Sequence, residues 1–357
     1  MNLSRALRFL VTALLAGSPA FAAGGALSVA LLPVVNQAGD SAAAAAVTQA
    51  LVRDLGRSHR VIEGEGLRDE LRAMRLRNLD QAPAERIRLL GRKVGAGEIL
   101  VVSLHQAERR NTPRLTLSAR AYAVATGDLI WCGFASKSGL DRRTVLGLGV
   151  VDDLDLLASS VVAKVLSTFG QMPSAAAKRR AGSSPLGGNF EPVAIVPFSA
   201  ETEHGGLNAA ETANEALRAV LFRDGFRLLS PNAVSDVLRH RSSLRWGGVS
   251  EPVRRALARA GARAIITGSI DEFDIGGGEL EPNPHVALYV RMLSADSGRI
   301  LWMGGLDREG WDRPGLFHFG RIYSRGSLLE LLAARLMKRM ERDASRGEFF
   351  SAAKELK

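Results

Sequence analysis

The sequence predicts an α+β protein made of two tandem mixed β-sheet domains, each with helices packed against its sheet. Three observations predict it. First, short words recur in fixed order: residues 29–34, Val-Ala-Leu-Leu-Pro-Val, return at 193–198 as Val-Ala-Ile-Val-Pro-Phe. Gly95-Ala96 returns as Gly261-Ala262, and residues 126–131, Thr-Gly-Asp-Leu-Ile-Trp, return at 297–302 as Ser-Gly-Arg-Ile-Leu-Trp. Second, the spacings agree, the interval from Pro33 to Gly95 nearly equalling that from Pro197 to Gly261. Only the next interval differs much, Gly95 to Gly127 being shorter than Gly261 to Gly298, and the excess falls in a glycine and proline stretch that reads as a loop. A period this long signals two copies of one globular domain rather than a solenoid. Third, each copy reads as strand, helix, strand, helices and then a meander, the order of a mixed sheet covered by helices.

In the first copy, residues 28–35 form a continuous apolar run, as in a strand buried on both faces. Ser41 can cap a helix over 42–55, with Val47, Leu51 and Leu55 on one stripe and Gly56 ending it. A short strand at 60–62 and helices at 67–76 and 83–94 follow, Pro83 suiting a first turn. Residues 98–104 read as another buried strand. Residues 114–123 alternate, with Leu115, Leu117, Ala119 and Ala121 facing one way and Thr116, Ser118 and Arg120 the other, which predicts one wet face. Residues 129–134 pair back across the turn at Thr126-Gly127-Asp128, and a helix over 151–169 closes the copy. The second copy repeats the order: strand 193–198, helix 208–223, strand 226–229, helices 233–239 and 251–260, strand 262–270, a hairpin of 286–293 with 299–303, and helix 328–342.

The resulting organisation is a signal peptide over 1–22, a first domain over 23–171, a flexible linker over 172–190, a second domain over 191–343 and a tail over 344–357. The linker is rich in Ala, Ser, Gly and Pro. The signal reading rests on Arg5 and Arg8, a short apolar run over 9–16, a break at Gly17-Ser18-Pro19, and the small-x-small site Ala20-Phe21-Ala22. That run is too short to span a bilayer, and no later stretch reaches the ~20 apolar residues needed. The expectation is therefore an exported, periplasmic chain with no transmembrane segment. The single cysteine, Cys132, cannot form an internal disulfide and does not follow the cleavage site, so lipid attachment there is not expected. The formal charge of +10 stays strongly positive without Arg5 and Arg8, which attracts the exported chain to anionic envelope surfaces. Aromatic residues make up only 6%, which argues against a nucleic-acid surface.

The word Val-Ala-Ile-Val-Pro-Phe opening a domain, the strand end at Leu229-Ser230, the Gly-Ala before a buried strand and the Ser-Gly-Arg-Ile-Leu-Trp hairpin resemble one superfamily. It is the fold shared by the TolB N-terminal domain, the curli secretion protein CsgG, the flagellar protein FlgO and the penicillin-binding-protein activator LpoB. The resemblance covers each copy, and it implies an envelope protein that assembles, scaffolds or regulates through contacts, without a catalytic site. The sequence also departs from these families. It lacks the lipid-accepting cysteine of LpoB and CsgG, neither copy has an alternating apolar hairpin long enough to cross a bilayer as a CsgG-like pore requires, and a second copy stands where TolB continues into a propeller.

Catalytic chemistry is not legible. The six histidines show no metal spacing, Asp152-Asp153-x-Asp155 reads as a helix cap, and no phosphate loop or Gly-x-Ser-x-Gly occurs. No cofactor or metal is expected. The candidates are surfaces for an envelope protein partner. Residues 304–326, after the second hairpin, hold Trp311, Phe317, Phe319 and Tyr323 among Arg308, Arg313, Arg321 and Arg325, where copy one has only Phe134. Aromatic and arginine residues together are what binding hot spots favour. Arg120 and Arg291 occupy equivalent strand positions in the two copies and are a second candidate pair. The reading is a non-enzymatic scaffold or accessory protein of the cell envelope. The alternatives are a small-molecule or glycan-binding module with its ligand between the domains, and then an unrecognised hydrolase.

Overall fold

The computed structural model describes residues 28–76, 82–109, 112–144, 148–171, 190–202, 206–239, 248–278, 281–312 and 320–346. The signal segment, all of the expected linker but Phe190, and the tail beyond 346 lie outside them. In the first copy the elements are β1 (Ser28–Leu31), β2 (Val35–Asn36), α1 (Ser41–Leu55), β3 (Arg60–Ile62), α2 (Glu65–Ala73), α3 (Ala84–Val94), β4 (Glu98–Glu108), β5 (Arg114–Ala123), β6 (Leu129–Ser138) and α4 (Leu154–Val165). In the second they are β7 (Val193–Ile195), β8 (Ser199–Ala200), α5 (Gly206–Arg223), α6 (Pro231–Arg239), α7 (Glu251–Arg259), β9 (Ala264–Gly278), β10 (Glu281–Ser294), β11 (Ile300–Glu309) and α8 (Arg325–Ser345).

Both sheets are mixed and run in the same order. The first is β3-β1-β4-β5-β6 with β2 beside β4; the second is β7-β9-β10-β11 with β8 beside β9. The counterpart of β3 is a single bridge, Val193 to Leu228, in place of the expected strand at 226–229. Register makes the copies equivalent residue by residue. Val101 pairs with Arg120 and Arg120 with Cys132, while Thr267 pairs with Arg291 and Arg291 with Met303. His105 and Asp271 are skipped by the pairing at the same place in their ladders, each marking a bulge. The β5–β6 and β10–β11 turns both pass through a left-handed glycine, Gly127 at φ 80° and Gly298 at φ 76°, a conformation that a side chain disfavours.

Several sequence expectations need correction. The 28–35 run is broken at 32–34, because Pro33 has no N–H to give to a ladder. Asp40, not Ser41, caps α1, accepting from the amides of Ala42 and Ala43. The helix expected over 151–169 is α4, capped by Asp153, plus a 3-10 turn over Leu166–Thr168. The glycine and proline stretch thought to be a loop extends the ladder of β9 and β10, with Gly276 opposite Asn283 and Gly277 opposite Pro282.

In each copy one helix pair covers one face of the sheet: α1 with α4 in the first, α5 with α8 in the second. Val47, Leu51, Val161 and Val162 pack on Leu100, Val102, Leu115 and Leu117. Leu217, Val220, Leu332 and Leu336 pack on Ile266, Leu288, Val290 and Met292. On the opposite faces α2 and α3 bring Leu67, Ile87 and Leu90 to Ile99 and Tyr122, and α6 and α7 bring Val234, Val253 and Leu257 to Ala194 and Ile265. Each sheet also holds one tryptophan against a nearby glycine of its own strand. A Cβ on Gly133 would meet the Trp131 ring at 2.5 Å, and one on Gly304 would meet the Trp302 ring at 2.6 Å.

The copies are not separate cores. Cys132 and Phe134 of β6 belong to the same apolar cluster as α5 and α8, so the second copy's helix pair lies between the two sheets and serves both. The expected wet face of β5 is therefore wrong, since every residue from Arg114 to Tyr122 is buried.

Candidate functional site

The seam between the copies is polar at its centre. Arg120 is 2% exposed, and its Nε lies 3.5 Å from Oε2 of Glu215 on α5; Arg218, one turn along that helix, bonds the same carboxylate. Burial pushes the Glu215 carboxyl up, but the charges of Arg120, Arg218 and His105 and the Arg218 hydrogen bond outweigh it and leave the group below the usual glutamate range. The Cys132 thiol beside this cluster is pushed up to about 12 by burial, which keeps it protonated and inert. His105, the bulge residue, is held at 2.7 Å by both Gln37 and Ser118, and Asn208 of α5 donates to its carbonyl at 2.8 Å.

Further contacts fix the seam along its length. Ser136 and Ser324 hydroxyls meet at 2.9 Å, and the Ser327 hydroxyl donates to the Ser136 carbonyl at 3.0 Å. Gly326 passes so close that a Cβ there would meet the hydroxyls of Thr116 and Ser136 at 2.6 Å. Arg325 donates to Glu108 at 2.9 Å, and Lys164 of α4 reaches Glu330 of α8 at 3.1 Å. At the α3 end, Tyr122 donates to Asn232 at 3.3 Å, and Asn232 donates to the Ala82 carbonyl at 2.6 Å. Of the paired arginine candidates, Arg120 is thus a structural ion-pair residue and offers nothing to an outside partner.

Arg291 stands in the equivalent position on β10, half-buried rather than buried. Its neighbours on that face are open: Tyr289 is 45% exposed and Met303 is 49% exposed. Sequence reasoning missed Tyr289 and Met303. The signal was available, because Met303 is the register equivalent of Cys132 and Tyr289 of Ser118.

The aromatic segment after β11 is tied to its own domain. β11 itself runs to Glu309, Gly310 donates to the Pro284 carbonyl and Ile322 donates to the Gly310 carbonyl. Trp311 is half-buried under the guanidinium of Arg321, 4.2 Å from the ring centroid, and its buried indole N–H has no acceptor among the described residues. Tyr323 is 9% exposed and belongs to the packed interior rather than to a contact surface. Arg313, Phe317 and Phe319 lie outside the described residues. Where the copies meet, Glu108, Glu201, Asp271, Glu272, Asp274 and Arg325 line a cleft of about 800 Å³. Among the described residues no group of His, Cys, Asp and Glu has a metal-binding arrangement. No helix among them is long and apolar enough to cross a membrane.

No protein-family model matches the chain, and no curated protein matches it. Solved structures do. The PelC dodecamer from Paraburkholderia phytofirmans is 17% identical with a TM-score of 0.29, over 43% of this chain and 89% of that one. Lipoprotein GNA1162 from Neisseria meningitidis is 18% identical with a TM-score of 0.30, over 40% of this chain and 98% of that one. The LpoB C-terminal domain from Escherichia coli is 22% identical with a TM-score of 0.25, over 36% of this chain and 93% of that one. Each match spans about the length of one copy.

Proposed function

We propose that this chain is a periplasmic, unlipidated accessory protein that scaffolds or regulates a cell-envelope structure through protein contacts, and that it has no catalytic site. The observation that carries the reading is the Trp311–Arg321 stack at the end of β11. It is an aromatic and arginine pair of the kind that anchors protein interfaces. The equivalent segment of the first copy, residues 139–153, is held by the same backbone hydrogen bonds but contains no aromatic residue, and two copies of one fold that differ in the side chains of one connecting segment differ where a partner can be read without disturbing the sheet. The signal motif supports export, and the absence of a cysteine at the cleavage site supports the unlipidated form.

The experiment is a double substitution, Trp311→Ala with Arg313→Ala, assayed by capture from envelope extract beside a thermal melt. Capture falls while stability changes by about the contribution of a partly desolvated cation–π pair, roughly 2 kcal/mol. A loss of about 3–5 kcal/mol, the cost of truncating a fully buried aromatic, together with unchanged capture by the folded fraction, sinks the reading.

A further inference from the structure

The contact between the copies is heterologous: the sheet face of copy one receives the helix pair of copy two. Among the described residues that leaves two surfaces uncovered, the sheet face of copy two and the outer side of the helix pair of copy one. These are the equivalents of the two surfaces that already meet inside the chain. From this geometry we infer that the open face of the second sheet is the docking site for the α1–α4 pair of a second copy of this chain, so that chains associate head to tail.

Helix equivalence rests on burial. The buried residues of α4, Leu157, Ala158, Val161, Val162 and Val165, recur in α8 with the same spacing as Leu332, Ala333, Leu336, Met337 and Met340. The inward stripe of α1 likewise recurs in α5 at a constant offset, Ala43 as Ala209 and Leu51 as Leu217. The difference lies on the outer faces. α5 also buries Glu215 and Ala219 against the first sheet, whereas their equivalents on α1, Gln49 and Arg53, are exposed. On α8, Leu331 follows Ser327 by one turn on the side that touches β6 and is half-buried. Its equivalent on α4, Leu156, is 64% exposed. An exposed leucine on one end of the molecule and an exposed tyrosine and methionine on the other are what a separated pair of interface halves leaves behind.

Charge supports the same occupant. Inside the chain Lys164 of α4 pairs with Glu330 of α8. Their equivalents are Arg339 on α8, whose side chain is 54% exposed, and Asp155 on α4, so an acid on the incoming helix again meets a base beside the receiving sheet. Three positions go the other way: Ser327 and Ser136 become Asp152 and Asp307, the Glu215 carboxylate beside Arg120 becomes Gln49 facing Arg291, and Arg325, which pairs with Glu108, becomes Val150 facing Asp274, so the contact between chains is weaker than the one within. A heterologous contact does not close on itself at two subunits, so each chain added presents a fresh receiving face.

The test uses the exported chain and two substitutions at exposed positions, Leu156→Asp to block the helix side and Met303→Asp to block the sheet side. Sedimentation velocity over about 1–100 μM, where a contact of micromolar affinity titrates, should show wild-type chain growing past the dimer. Each variant alone stays monomeric with an unchanged thermal melt. Mixed in equal amounts, the variants form a 1:1 dimer and stop, because each retains one intact half. Wild-type chain that stays monomeric throughout overturns the inference, as does a mixture that does not dimerise or a variant that associates like wild type. The assay needs only purified chain, so its failure leaves the envelope reading standing.

Discussion

Arg120 and Arg291 occupy the same position of the same strand in two copies of one fold, yet one is sealed in the interior and the other stands at an open face. The difference is made by helices rather than by strands. α5 and α8 are amphipathic on two sides, one for the second sheet and one for the first, while α1 and α4 bury a single side. A half-buried arginine at an open face and a fully buried ion pair can therefore come from one inherited position, depending on whether a neighbouring copy's helix covers it. Around Arg120 the supplied group is Glu215, and its charge also satisfies Arg218.

Breaking that arrangement gives the largest expected effect. Glu215→Gln removes the carboxylate shared by two buried guanidinium groups, which costs about 3–5 kcal/mol, whereas Arg291→Gln on the open face should stay within about 0.5 kcal/mol of wild type. Denaturant unfolding of both variants measures it, and equal effects would show that the seam is solvated. The same carboxyl sets an acid limit. Because the folded state holds Glu215 below the usual glutamate range, its contribution is complete above that range and is lost as pH falls through the lowered folded-state pKa. The Glu215→Gln variant should lack that part of the acid sensitivity.

The repeated words made the shared sheet legible. Val-Ala-x-x-Pro, Gly-Ala and Gly-x-x-x-Trp fall on β1 and β7, before β4 and β9, and across the two hairpin turns, and the equivalence of the two arginines read from those words is their true register. The seam was not legible, for a physical reason. Thr116, Ser118 and Arg120 alternate with apolar residues, and a polar strand face looks the same whether water or another domain's Ser324 and Glu215 satisfies it. Those partners lie far along the chain, on helices whose sequences show only amphipathicity. The extended β9–β10 ladder was hidden by Gly276, Gly277, Pro282 and Pro284, residues that normally mark loops because proline gives no ladder hydrogen bond. At the candidate site, the aromatic composition was visible but not that Tyr323 turns inward.

A second test asks whether the copies are packed alike where they are equivalent. Gly133→Ala drives a methyl into the Trp131 ring and also to 2.8 Å from the Val165 carbonyl, so neither ring nor backbone can yield. Gly304→Ala meets only the Trp302 ring. Overpacking costs about 1–3 kcal/mol, and the first substitution should fall at the upper end and the second at the lower. Thermal melts of the two variants give the order. A reversed order would mean that the first sheet, held by the second copy's helices, is the more deformable of the two.

The smallest effect concerns the tryptophans themselves. Trp131 donates from its indole nitrogen to the Thr168 hydroxyl at 3.1 Å, and Trp302 donates to the Asp343 carboxylate at 2.9 Å. Both residues are 4% exposed, so Trp→Phe removes nearly the same apolar bulk in each copy, and the difference between the two substitutions isolates the acceptor. A hydrogen bond to a charged group is worth about 1.5–3 kcal/mol against about 0.5–1.5 kcal/mol for a neutral one. Two features narrow that gap. Asp343 keeps Arg339 at 3.8 Å after the change, and a phenylalanine at 131 keeps an aromatic neighbour in Phe169, whose ring centroid lies 5.0 Å from that of Trp131. Trp302→Phe should therefore be worse than Trp131→Phe by about 1 kcal/mol at neutral pH. With Asp343→Asn the difference should vanish, because an amide oxygen is a neutral acceptor like the Thr168 hydroxyl. Paired denaturant curves with and without Asp343→Asn decide it: a difference that survives loss of the carboxylate would place the cause in packing rather than in charge.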